Sequence, residues 1–267
     1  MIPRIMHQAY IGGALPDDLR ANVEAHRARN PGWHHILWDD ARSNQFIPSI
    51  YGAEMMRTYE RIDSRYPAAR VDLLCNLIIQ HHGGVYFDIK SVFERPLDDV
   101  LRPTDRYLLA QWRNRPGEAN AGWGLHHDLD SVPGGEYIKY FIIAEPVHPY
   151  SKAIIDKICS NVHSYKPWAA VGRTGTLRTT GPIAYTLGIR SVIDPALHRV
   201  VTEAEIGASP SLAGAYDHAA ALPTTHYSKL KLPIVKQGIA GSLISRAATA
   251  LREIKAAARA AGNRTAA

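Results

Sequence analysis

One short stretch constrains this chain more than any other: Gly83-Gly84-Val85-Tyr86-Phe87-Asp88. The glycines punctuate the C-terminal end of a helix that Pro67, a good first-turn residue, opens and that runs to about His82. Val85-Tyr86-Phe87 is then too short and too apolar for anything but a buried strand, and it ends on a carboxylate. The N-terminus repeats this alternation. Ile2–Gln8 reads as a strand, with Pro3 near its start where an edge tolerates it, and Gly12-Gly13 ends it. Asp17 caps a helix to about Asn30, Pro31-Gly32 stops it, and His34–Trp38 is a second strand. Strand, helix, strand in this order predicts a βαβ start and an α/β fold with a parallel sheet.

The remaining elements are a helical region around Tyr51–Ile62, a strand candidate at Arg106–Gln111, a helix at Pro149–His163 and another after Gly181-Pro182. Arg113–Gly135 is rich in Gly, Asn, Asp and Pro and reads as a long loop of the kind that carries function. No internal repeat is present. At 267 residues, with 46% hydrophobic and 21% charged residues, the chain suits one globular domain and not a disordered or fibrous protein. Apolar runs such as Leu73–Ile79 and Phe141–Ala144 fall far short of the ~18 residues a membrane span needs. No charged n-region precedes an apolar core, which argues against a secretory signal. Two cysteines make no disulfide framework, so a cytoplasmic location is expected.

Charge is unevenly placed. Eight of the 31 basic residues and one of the 25 acidic ones lie from Lys229 onward, giving that tail +7 and the rest of the chain −1. A nucleic-acid role would have to live in the tail, which holds no binding motif, and none is expected. From about Gly238 the tail turns Ala- and Arg-rich. Ile239, Leu243, Ala247, Leu251, Ile254 and Ala258 recur at three- and four-residue spacing, predicting an amphipathic helix. Residues 1–236 are therefore read as the domain and 237–267 as a basic helical tail. That helix suits an anionic membrane surface; the plainer alternative is a terminal helix packed on the domain.

Two carboxylates stand out. On the Pro67–His82 helix, Asp72, Asn76 and Gln80 form a polar stripe opposite Leu73, Leu74, Leu77 and Ile78. The stripe is either solvent-exposed or lines a polar cleft. Asp88 follows a strand directly, so it sits at a carboxyl end, where open α/β sheets bind ligands. It either holds hydroxyls or a cation, or merely starts a turn.

The span from Ala69-Arg70-Val71-Asp72 through Asp88 to Pro96-Leu97 resembles the sugar-binding region of glycosyltransferase family 32. Further marks follow in order: Ile2–Gln8, Asn30-Pro31-Gly32 through Trp38-Asp39-Asp40, Ala144-Glu145-Pro146 with His148-Pro149, Thr180-Gly181-Pro182, and a late His226. Together they cover roughly residues 2–228. The resemblance implies a GT-A fold, a Rossmann-like, mostly parallel sheet flanked by helices. It also implies a nucleotide diphosphate sugar donor, transfer with retention, and a glycan or lipid-linked acceptor in polysaccharide or glycolipid synthesis. The metal is expected to be Mn2+ or Mg2+. By position, Asp72 binds ribose or sugar hydroxyls and Asp88 is the first carboxylate of the Asp-x-Asp motif. His7, Gln8, Tyr10, Trp38, Gly84, Tyr86, Gly181 and His226 join it as substrate-binding residues.

The departures matter. Lys90 stands at the second acidic position, Cys75 where the family often has Arg, and Tyr10 where Trp is common. A charged lysine cannot ligate a cation. Either its ammonium contacts the diphosphate directly and does a metal's work, which makes Lys90 catalytic beside Asp88, or it points out of the site. A metal held by Asp88 with His226 is the other arrangement. A nucleotide-sugar-binding protein without catalysis and a sugar nucleotidyltransferase are the rival functions. The adjacent pairs His34-His35, His81-His82 and His126-His127 are expected to be structural or on the surface, because neighbouring side chains point apart. Gly172–Gly175 reads as a turn, Cys75 as packing, and Trp112, Trp123 and Trp168 as core or sugar-stacking residues.

Overall fold

The computed structural model describes residues 1–210 and 227–265, with side chains through Lys255. Among the described residues the strands are β1 (Ile5–Ala9), β2 (His34–Trp38), β3 (Gly84–Phe87), β4 (Val92–Phe93), β5 (Tyr107–Leu109), β6 (Phe141–Ala144), β7 (Arg199–Val200) and β8 (Ala208–Ser209). The helices are α1 (Asp17–Arg29), α2 (Asp40–Arg61), α3 (Pro67–His82), α4 (Leu97–Val100), α5 (Pro149–His163), α6 (Gly172–Thr179), α7 (Pro182–Arg190), α8 (Glu203–Ile206) and α9 (Ile239–Thr265). Six strands form one sheet in the order β2-β1-β3-β6-β5-β7, and β4 pairs with β8.

The predicted βαβ start is present: β1 lies parallel to both β2 and β3. The sheet is mostly parallel. Only β6 is reversed, running antiparallel to β3 and β5. Its sequence, Phe141–Ala144, is apolar and bears no mark of direction; the loop that returns from β5 without a crossover helix sets it.

β3 alternates across the sheet. Tyr86 joins the core beneath α3, α5 and α7, while Val85 and Phe87 join the opposite core with Met6, Phe93 and Phe141. Gly84 is required by contact: with φ +93, a Cβ there would lie 2.4 Å from the Ile5 carbonyl oxygen of β1.

Some boundaries differ from the sequence reading. The first strand starts at Ile5. The helix expected around Tyr51–Ile62 begins at Asp40, where the Asp39 carboxylate accepts the Arg42 N–H at 2.8 Å, and Gly52 (φ +79) breaks it in the middle. Gly172–Gly175 is not a turn but the start of α6. Gly175 fits there because a Cβ would meet the Ala170 carbonyl oxygen at 2.3 Å. The Asp72–Asn76–Gln80 stripe is not solvent-exposed: Asn76 is fully buried and donates to the Asp72 carbonyl at 2.8 Å.

Candidate active site

The carboxyl ends of β1 and β3 open into a cleft of about 820 Å3. Its walls come from the β1–α1 loop, the N-terminal half of α3, the loop after β5, and α6 with the start of α7. Tyr10, Asp72, Tyr86, Asp88, Lys90 and Gly181 all line it. Six residues chosen from the sequence are thus brought together from distant parts of the chain.

The floor is built of charges. Asp88 ends β3, its backbone N–H bonded to the Tyr140 carbonyl at 2.8 Å. The Tyr86 hydroxyl, one pleat earlier on the same face, donates to Asp88 Oδ1 at 3.1 Å. The strand does not continue: the Ser91 N–H closes a turn on the Asp88 carbonyl at 2.9 Å. That turn carries Lys90 over the cleft without a strand to aim it. Lys90 makes no ion pair among the described residues.

Lys139 is the residue the sequence reading missed. It lies just before β6 and is almost wholly buried. Its ammonium pairs with Asp72 Oδ1, while the Thr180 hydroxyl donates to Asp72 Oδ2 at 2.8 Å. Burial alone would lower its pKa, but Asp72, helped by Cys75 and Asp88, drives it above the ordinary lysine value. The signal was available: Lys139 interrupts the run Tyr137–Ala144 as its sole charge, and a lone charge in a strand-like apolar stretch needs a partner. Burial raises the Asp88 pKa, while Lys139 and Lys90 pull it back.

His7, Gln8, Trp38 and Gly84 do not line the cleft. His7 is buried in the sheet, where its Nε2 donates to the Gly83 carbonyl at 3.0 Å and its Nδ1 accepts the Trp38 indole N–H at 3.2 Å. Gln8 Oε1 accepts from His35 at 3.0 Å. His226 lies outside the described residues. Cys75 is buried packing, as expected, and burial pushes its thiol up to about 12. The adjacent histidine pairs form no chelate; His126 instead bonds Glu136 at 2.8 Å, and Glu136 also holds the Trp112 indole N–H at 2.8 Å.

Among the described residues the donor set does not fit a divalent cation; the arrangement with His226 lies outside them. Both oxygens of Asp72 are engaged, Asp88 faces two ammonium groups, and among the described residues no group of three or more His, Cys, Asp or Glu side chains is placed to hold a metal.

Comparison with known proteins bears on the fold. The solved structure titled PaToxG Glycosyltransferase superposes with a TM-score of 0.50 at 14% identity, covering 72% of this chain and 70% of that one. The likeness concerns the fold, which is a GT-A type, Rossmann-like sheet flanked by helices. Residues 16–108 match the family described as the glycosyltransferase sugar-binding region containing the DXD motif. That stretch of the chain is similar to this family, as are the family 32 marks, and it contains Asp88-Ile89-Lys90. Mannosyl phosphorylinositol ceramide synthase CSH1 of Saccharomyces cerevisiae is 26% identical over 199 residues, 70% of this chain and 49% of that protein. The SUR1 synthase of the same yeast is 33% identical over 101 residues, 38% of this chain and 26% of that protein. Inositol phosphoceramide mannosyltransferase 1 of Schizosaccharomyces pombe is 30% identical over 105 residues, 38% and 31% respectively. The chain spans about half the length of these relatives or less.

Proposed function

We propose that this chain is a retaining glycosyltransferase that moves a hexose from a nucleotide diphosphate sugar to a glycan or lipid-linked acceptor, in polysaccharide or glycolipid synthesis. The observation that carries the proposal is the gathering of Asp72, Asp88, Lys139 and Lys90 at the carboxyl end of β3, where Lys139 pairs with Asp72 and Lys90 is left unpaired among the described residues. Strand order changes direction there: β2 lies on one side of β1 and β3 on the other, and open sheets bind nucleotides at such a crevice. The nucleotide sits by Tyr10 and Gly12. Asp72 and Asp88 take hydroxyls of the ribose and sugar. The acceptor enters from the β5 side, where Trp112 and the half-exposed Trp123 stand with ring centroids 5.2 Å apart.

Transfer needs charge stabilisation on the leaving diphosphate. The family's Mn2+ or Mg2+ would supply it as a Lewis acid. Here the Lys90 ammonium does that work directly, with Arg173 of α6 also at the cleft wall. Lys139 does not reach the diphosphate; it holds the Asp72 carboxylate in place. The transferring unit is residues 1–236, and the protein works in the cytoplasm at the inner face of a membrane, which the tail touches. A thermal-shift screen of nucleotide diphosphate sugars, each with and without Mn2+, tests the reading. A rise in melting temperature with one donor, unchanged by Mn2+, is expected. No rise with any donor in either condition contradicts it.

A further inference from the structure

An amphipathic helix at the end of a domain ordinarily packs its apolar side inward. Helix α9 does the opposite. At about 100° per residue, Ile239, Leu243, Ile244, Leu251 and Ile254 fall within an arc of about 140°. All five are open to solvent, between 47% and 86% exposed. The other side of the helix meets the domain. Ser245 is buried, Gly241 approaches Pro167, and the Arg252 guanidinium donates to the carbonyls of Trp168 and Ala169. Glu253 pairs with Lys231 at 2.6 Å on that same side. Small and polar residues dock the helix, and its apolar face is left without a partner among the described residues.

The charges around that face point to its occupant. Arg246 borders the apolar arc on one edge and Lys255 on the other, both exposed and without an ion pair among the described residues. Long cationic side chains at the rims of an apolar stripe reach for anionic head groups while the stripe enters the acyl boundary. No helix among the described residues is long and apolar enough to cross a bilayer. A second copy of this chain would bring like charges together at both rims of the stripe.

We infer that α9 lies flat on an anionic lipid bilayer, apolar face down, with Arg246 and Lys255 at the head groups. This deepens the membrane-facing part of the proposed function. Its consequence is positional. Trp168 and Ala169, which hold Arg252, lead within a few residues to Arg173 in the cleft wall, so a docked α9 sets the cleft mouth beside the lipid surface, where a lipid-linked acceptor resides.

The test is co-sedimentation of the full chain with vesicles of phosphatidylcholine alone and with 30% phosphatidylglycerol. It needs no transfer activity, so its failure and a failure of the transferase reading are separable. Binding to the anionic vesicles is expected, weakening with salt. Arg246→Gln with Lys255→Gln should lower partitioning roughly thirtyfold, at about 1 kcal/mol per charge. Leu243→Gln, Leu251→Gln and Ile254→Gln together should abolish it with the melting temperature and donor turnover unchanged. Equal pelleting of the triple variant and the parent, or no pelleting on anionic vesicles, overturns the inference. So does a stable dimer that the triple variant dissociates, which would assign the face to a second copy.

Discussion

The chain buries polar groups in two regions, and they are built on opposite plans. Three buried histidines form closed circuits. His7 donates to Gly83 and accepts from Trp38; His26 donates to the Asn22 carbonyl at 2.9 Å and accepts the Phe93 N–H at 3.1 Å. His148 donates to the Leu197 carbonyl at 3.1 Å and accepts the Tyr150 N–H at 3.2 Å. Each neutral ring has one donor and one acceptor, both used. The cleft floor is open instead. Asp88 has one side-chain partner, the Tyr86 hydroxyl, and Lys90 reaches over the cleft unpaired among the described residues. Closed circuits hold the fold, and open groups are held ready for a ligand at a cost to stability.

The largest effect that sharpens this contrast is acid unfolding. Burial lowers His7 to about 3 and His26 to about 4 from the usual 6.5. Folded-state values depressed in a base mean that the unfolded chain takes up the protons. The stability these rings contribute is therefore present above pH 6.5 and is lost as pH falls toward 4. His7 and His26 together put that loss on the order of 6 kcal/mol by pH 4, a large share of the whole stability of a domain. Melting temperature measured from pH 7 to pH 4 should fall steeply; a flat profile would show that the circuits do not hold these rings neutral.

Next is Lys139→Met. It leaves the Asp72 carboxylate buried and half-partnered, which should cost about 3–5 kcal/mol in urea unfolding. A loss under about 1 kcal/mol would mean that this pair belongs with the open groups. Asp88→Asn should separate the two plans within one residue. Because burial raises the Asp88 pKa, its charge is carried at a cost, so Asn should leave stability unchanged or higher while donor turnover drops about a hundredfold or more. Loss of both would place Asp88 among the structural groups. The smallest effect is in the pH profile. Lys90 lowers the Asp88 pKa, so Lys90→Ala should move the acid limb of donor binding, read as the thermal shift the donor gives, to higher pH by about one unit at most. A limb that stays put would separate the two residues.

The sequence was legible where a local pattern forces a local structure. Pro67, Gly83-Gly84 and the apolar triplet before Asp88 fix α3, β3 and the cleft edge without help from the rest of the chain. It was not legible where the partner is distant. Nothing near Phe141–Ala144 says that this strand runs backwards, and nothing near Lys139 names Asp72, 67 residues away. His7, Gln8 and Trp38 lie on the strands that lead to the cleft, yet their side chains are engaged inside the sheet, where Trp38 donates to His7 and Gln8 accepts from His35. The amphipathic tail was plain from its spacing, but only the contacts of Ser245 and Arg252 tell which face is outward.

The central claim is that Lys90 stabilises the leaving diphosphate in an open cleft that needs no cation. It is tested most directly by donor hydrolysis in EDTA, with the parent chain and Lys90→Ala measured side by side on the donor that the thermal screen selects. The account predicts turnover by the parent at an undiminished rate in EDTA, and its loss in Lys90→Ala with the melting temperature kept. Abolition by EDTA, restoration by Mn2+ and an unimpaired Lys90→Ala would contradict it.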